Sequence, residues 1–146
     1  MKTLERKYST TVKAKGGKDA NIISDDGLLN LPYQPPKELK GNGQPGKHTN
    51  PEQLLAAGYA SCLGSSIQLT AEKLQLDVKP ENIEVAATVH MGNDDEGSGF
   101  GYSIDLVVDI QELTMEEQQK ILEIAQKECP YTKALEGNVP INVSLL

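Results

Sequence analysis

A chain of 146 residues with 38% hydrophobic content can bury one real core but is too short for two, so a single domain over 1–146 is expected. Its 21 acidic residues against 14 basic ones leave a net charge of −7, which argues against nucleic-acid binding, because a phosphate backbone is gripped by clustered cations. No apolar run reaches membrane-spanning length, and Met1 to Lys7 is polar rather than a leader, so a soluble, cytosolic protein without a membrane partner is expected.

Leu4 to Ala14 carries Tyr8, Thr10, Val12 and Ala14 at every second position and predicts a first strand, closed by a turn at Gly16-Gly17-Lys18-Asp19. Asn21 to Ser24 and Leu28 to Leu31 flank the turn Asp25-Asp26-Gly27, which makes a three-stranded meander. Pro32 to Lys47, with Pro32, Pro35, Pro36 and Pro45 among Gly41, Gly43 and Gly46, predicts an ordered surface loop without a regular element. Asn50 as N-cap, Pro51 at the first helical position and Gln53 at the capping-box position start a helix that runs to about Leu74, roughly 36 Å long. Small and apolar residues lie almost all round it, as in a helix enclosed by other elements.

Ile83 to Met91 and Tyr102 to Ile110 alternate apolar and polar residues and predict two half-buried strands joined by Gly92 to Gly101. Thr114-Met115-Glu116-Glu117 is a capping box that opens a second helix with Ile121, Leu122, Ala125 and Cys129 on one stripe. Pro130 ends or kinks that helix, because the residue before a proline avoids the α region, and so leaves Cys129 at a helix end. Tyr131 to Leu135 adds a short turn before Gly137, and Val139 to Leu145 is a final strand. The order βββ, α, ββ, α, β is not a regular alternation, so the fold class is α+β with mainly antiparallel sheet.

Most motif-like patterns dissolve on inspection. Gly41-Asn42-Gly43-Gln44-Pro45-Gly46 matches GxGxxG, but a proline-rich loop leads into it and Pro45 lacks a donor that a phosphate would need. His48 and His90 have no close metal-ligand spacing with each other or with the cysteines, and Gly64-Ser65-Ser66 lacks the serine-hydrolase elbow, so no metal and no cofactor are expected. Asn93-Asp94-Asp95-Glu96 and Glu116-Glu117 read as solvated charge.

The two cysteines are harder to dismiss. Cys62 lies 11 residues past Pro51, beyond the reach of the helix dipole, so a cation must supply any activation of its thiolate. The residues alone leave open both a reactive thiol and inert packing, and they do not say which Lys or Arg approaches.

The motifs resemble those of the organic hydroperoxide resistance proteins of the osmotically inducible protein C superfamily. The resemblance spans nearly the whole chain and rests on Gly16-Gly17-Lys18-Asp19, on Thr49-Asn50-Pro51-Glu52-Gln53-Leu54 with Ala56-Ala57-Gly58-Tyr59-Ala60 running into Cys62, and on Cys129-Pro130-Tyr131 followed by Gly137-Asn138. It implies a stress-response thiol peroxidase built as an intertwined homodimer with two active sites at the subunit interface. Cys62 corresponds to the peroxidatic cysteine and Cys129 to the resolving one, which would pass through a Cys62 sulfenic acid to an intramolecular disulfide. Glu52 corresponds to the carboxylate that orients a cation beside the thiol. The family's arginine in the first hairpin is Lys18 here, a departure because an ammonium cannot fork hydrogen bonds to thiolate and carboxylate together. Arg6, the chain's only arginine, is the other candidate for that role. The implied substrate is an organic hydroperoxide, and the implied reductant is a dithiol, a dihydrolipoyl group on a partner protein.

Glu52 and Cys62 stand roughly 15 Å apart on a straight helix, too far to share one constellation. Either the helix breaks near Gly58, or Glu52 and Lys18 arrive from the partner subunit; the second is expected. Leu54, Leu55, Tyr59 and Ile67 are candidate walls of an apolar pocket that favours alkyl or lipid hydroperoxides, with core packing as the alternative. Two further readings stay open: a peroxidase of the same superfamily with broader specificity, and a non-catalytic binding or structural dimer.

Overall fold

The computed structural model describes residues 3–146; Met1 and Lys2, the start of the polar Met1 to Lys7 stretch, lie outside the described residues. The chain forms two compact units, the first ending at Pro51 and the second spanning Glu52–Leu146.

The first unit is an antiparallel meander of β1 (Val12–Lys15), β2 (Ala20–Ser24) and β3 (Asn30–Tyr33). Gly16 and Gly17 turn the chain at φ 124° and 62°, and a Cβ on Gly16 would run into the Asp19 carbonyl, so this tight turn requires glycine. Lys18 sits exposed in that turn. The first strand is shorter than the alternation from Leu4 predicts. Its partner β2 ends at Ser24, where Asp26 accepts from the Leu28 N–H at 3.0 Å and bends the chain. The Asp25 N–H still reaches the Thr11 carbonyl at 2.9 Å, whereas Leu4 and Tyr8 farther out are 83% and 82% exposed. Pro32, assigned to the loop by its sequence, lies inside β3. Its carbonyl accepts from Thr49 N–H at 2.9 Å, away from β2, so its missing N–H removes no bond from the β2 ladder. The rest of the predicted loop contains one short 3₁₀ turn, Lys37–Leu39.

The second unit carries α1 (Pro51–Lys73), the hairpin β4 (Ile83–Asn93) and β5 (Phe100–Ile110), then α2 (Met115–Glu128), α3 (Pro130–Leu135) and β6 (Ile141–Leu145). The expected α+β order is therefore present. The sheet order is β4-β5-β6; β4 and β5 pair antiparallel over their full lengths, and β6 adds to β5 in parallel. The pairs Val85 with Val108, Ala87 with Leu106 and Val89 with Ile104 put the predicted apolar alternation on one face. That face forms a core with Tyr59, Leu63, Ile67 and Ala71 of α1 and Ile121, Leu122 and Ala125 of α2. Each large side chain fully enclosed there contributes about 1.5–3 kcal/mol by leaving water. No helix among the described residues is long and apolar enough to cross a membrane.

The capping box of α2 is formed in both directions. Thr114 Oγ1 accepts from Glu117 N–H at 3.1 Å, and Glu117 Oε1 accepts from Thr114 N–H at 3.0 Å. Replacing Thr114 by Ala should lower unfolding stability by about 1 kcal/mol in urea titration, with Thr114→Ser nearly silent. Equal effects of the two changes would show that the hydroxyl is not the cap.

Candidate active site

The two cysteines, 67 positions apart in sequence, meet in the second unit: Cys129 Sγ donates toward Cys62 Sγ at 3.7 Å, and both are free thiols. Cys62 reaches this position from the side of α1, half-buried next to the enclosed row Tyr59, Leu63, Ile67. Cys129 comes from the junction of two helices. Pro130 forces it to φ −65°, ψ 119°, which ends α2 and starts α3 in a new direction. Its N–H donates to the Ala125 carbonyl at 2.9 Å, and its own carbonyl accepts from Lys133 N–H at 3.0 Å, so the backbone is tied on both sides. A disulfide needs the sulfurs to approach by about 1.7 Å more, which is within the range of side-chain rotation.

The surroundings do not yet make Cys62 a nucleophile. Burial pushes its thiol above the ordinary value of 9.0, the backbone N–H of Tyr131 pulls it down by hydrogen bonding to the sulfur, and Cys129 pushes it up again. No cation figures among these influences. The net direction is upward, so a thiolate at Cys62 would need a stabilising charge that these neighbours do not supply.

A scaffold that sequence reasoning missed holds the Tyr131 N–H in place. The Tyr131 ring lies 5.6 Å from that of Tyr59, and Tyr59 shares a 2.7 Å hydrogen bond with Thr132. Gly58 supplies the notch: a Cβ there would come within 2.7 Å of Tyr131 Cζ and collide with its hydroxyl. Gly58 and Tyr59 of α1 thus grip the first turn of α3, one turn before Cys62. Cys-Pro-Tyr is visible in the sequence, but the fit of the ring against Gly58 is a matter of packing.

Glu52 and Cys62 do not share a pocket. Helix α1 runs unbroken through Gly58, which removes the helix-break alternative and leaves about 15 Å between the two residues along the axis. Glu52 Oε1 instead accepts from Tyr102 Oη at 2.8 Å. This is a second contact that sequence reasoning missed, since its partners are 50 positions apart. Lys18 stands in the first unit, in the turn described above, and Arg6 is exposed before β1. Of the candidate pocket walls, Tyr59 and Ile67 have no exposed surface; they belong to the core, because they lie on the row of α1 that faces the sheet. Leu54 and Leu55 are half-buried. A hollow of about 800 Å³ opens at the end of the β4–β5 hairpin beside His90, Asp94, Phe100 and Tyr102, and neither cysteine lines it. His90 pairs with Asp105 at 2.9 Å, and His48 Nδ1 accepts from Gln44 N–H at 3.2 Å. Among the described residues no group of three or more His, Cys, Asp and Glu side chains gathers to hold a metal.

Residues 43–144 match the family model described as OsmC-like protein. The chain is 36% identical over 138 residues to organic hydroperoxide resistance protein-like 2 of Staphylococcus epidermidis, covering 94% of each chain. It is 36% identical to organic hydroperoxide resistance protein OhrB of Bacillus subtilis, covering 94% of this chain and 97% of the relative. The crystal structure of an organic hydroperoxide resistance protein from Elizabethkingia anophelis superposes with a TM-score of 0.87 at 34% identity, over 99% of this chain and 98% of the other.

Alanine is the better helix former by about 1 kcal/mol, so Gly58→Ala on an open helix face would stabilise. Here the methyl displaces Tyr131, and the expected result is a net loss of about 1–3 kcal/mol in urea unfolding together with slower diamide-driven closure of the Cys62–Cys129 disulfide. Unchanged closure would mean that the Gly58 notch does not position α3.

Proposed function

We infer that this chain, which belongs to the OsmC-like protein family, is a thiol-dependent peroxidase that reduces organic hydroperoxides to alcohols. The observation that carries this reading is the 3.7 Å approach of two free thiols, one half-buried and one fully enclosed. The relatives at 36% identity, named for organic hydroperoxide resistance, support it.

The Cys62 thiolate attacks the terminal oxygen of the hydroperoxide, the O–O bond breaks, and the alkoxide leaves with a proton as the alcohol, giving Cys62 sulfenic acid. Cys129 thiol then attacks that sulfur; an S–S bond forms, and hydroxide leaves with the Cys129 proton as water. An external dithiol, in this reading a dihydrolipoyl group on a partner protein, reduces the disulfide by exchange and is itself oxidised to a disulfide. The cycle suits a reducing compartment such as the cytoplasm. The 3.7 Å spacing lets Cys129 trap the sulfenic acid before a second peroxide oxidises it further.

Activation is assigned to a second copy of the chain. Helix α1 holds Glu52 about 15 Å from its own Cys62, so the partner subunit's Glu52 and the partner subunit's Lys18 are the groups that complete each site. An exposed row on α1, Ala57, Ser61, Ser65 and the 56% exposed Leu69, supports a homodimer, because an otherwise apolar helix then gains a cover.

Stopped-flow oxidation of the reduced protein by tert-butyl hydroperoxide should outpace that by hydrogen peroxide. Cys62→Ser should abolish both reactions, and Cys129→Ser should permit one turnover and leave a dimedone-reactive sulfenic acid. Slow, unselective oxidation by both peroxides would sink the reading. Burial and the neighbouring Cys129 push the Cys62 thiol above its ordinary value of 9.0, so an iodoacetamide alkylation profile with its midpoint below 9.0 at dimer-forming concentration is the expected sign of the activating cation; a midpoint above it would refute activation across subunits. Lys18→Met should slow peroxide oxidation by about tenfold or more, whereas Arg6→Met should not. The reverse pattern would move the cation's role to Arg6.

A further inference from the structure

Tyr102, the third residue of β5, stands opposite Met91, and its half-buried ring brings the phenolic oxygen to 2.8 Å from Glu52 Oε1. The bond joins the first turn of α1 to the turn end of the β4–β5 hairpin, beside the hollow that Tyr102 lines. Glu52 is a flexible side chain on a helix end, and an ammonium beside it would act as a point charge without a fixed direction. A guanidinium would lock such a carboxylate through two parallel bonds; a lysine cannot. The phenol can supply the missing direction, because an O–H donated to Oε1 fixes the plane of the carboxylate and leaves Oε2 to face a cation.

We propose that Tyr102 is a positioning residue for Glu52: its hydroxyl holds the carboxylate in the orientation in which Glu52 steers the activating lysine at the partner's reactive thiol. This rests on the peroxidase reading above for the identity of the step it serves. In this assignment Tyr102 acts through Glu52 and not on the peroxide or the sulfur. The cycle of thiolate, sulfenic acid and disulfide is unchanged by it.

Tyr102→Phe in the full chain keeps the ring and removes only the hydroxyl. The expected result is oxidation by tert-butyl hydroperoxide slowed about tenfold, the scale of one hydrogen bond to a charged group, with an alkylation midpoint for Cys62 displaced to higher pH and an unaltered thermal transition. In a Glu52→Gln background the same change should add no further loss, since a positioning residue has nothing left to position. An unchanged rate and midpoint, a faster reaction, or an equal loss in the Glu52→Gln background would each overturn the assignment. Failure of the peroxidase reading is separable: if the unmodified protein reduces neither peroxide, that reading falls, and the alkylation profile still decides Tyr102. An upward midpoint shift that vanishes with Glu52→Gln then supports it, and an unmoved midpoint refutes it.

Discussion

The candidate site depends on one constraint, the packing of α1 and α2 on a single core, which brings the thiols of Cys62 and Cys129 to 3.7 Å from each other. One sulfur is carried by a helix that lies against the sheet, the other by a proline-forced corner between two helices. Their spacing is therefore set by how α1 and α2 pack on β4 and β5, through Leu63, Ile67, Ile104, Leu106, Ile121 and Ala125. A close-packed core does not yield gradually, so the thiols inherit a defined separation rather than a range of them.

Burial serves the two halves of the proposed cycle in opposite ways. An enclosed Cys129 and a half-enclosed Cys62 keep water and bulk oxidant from a sulfenic acid, and the tied backbone of Cys129 leaves only side-chain motion for closure. The same enclosure opposes the thiolate, whereas the Tyr131 N–H favours it. Helix α1 adds little, because its dipole is spent within the first turn. The positive end of that helix instead carries Glu52, whose carboxylate suits a helix N-terminus and is held by Tyr102. On the proposed reading, activation and reactivity sit at different points along one helix, about 15 Å apart, and a second copy of the chain would bring them together.

Small residues do much of the positioning. Gly58 is unusual in the middle of a helix, where it sacrifices propensity, yet it is the only residue type that admits the Tyr131 hydroxyl. Gly16 does the same for the turn that carries Lys18. Both belong to the motifs that carry the resemblance, and in both the physical reason is room for a neighbouring group rather than flexibility.

The order of elements, the capped start of α2, the corner at Pro130 and the inward alternation of β4 and β5 were all legible in the residues themselves, because caps, prolines and periodicity act over a few positions. The two cysteines were likewise conspicuous as a pair. The length of β1 and the inclusion of Pro32 in β3 were not, since each depends on what lies opposite in the sheet. Nor was it legible that Tyr59 and Ile67 are core rather than pocket wall, that Tyr131 fits against Gly58, or that Tyr102 holds Glu52. These contacts join residues far apart in sequence, and only the packing of helices on the sheet decides which of many possible partners is the one within reach.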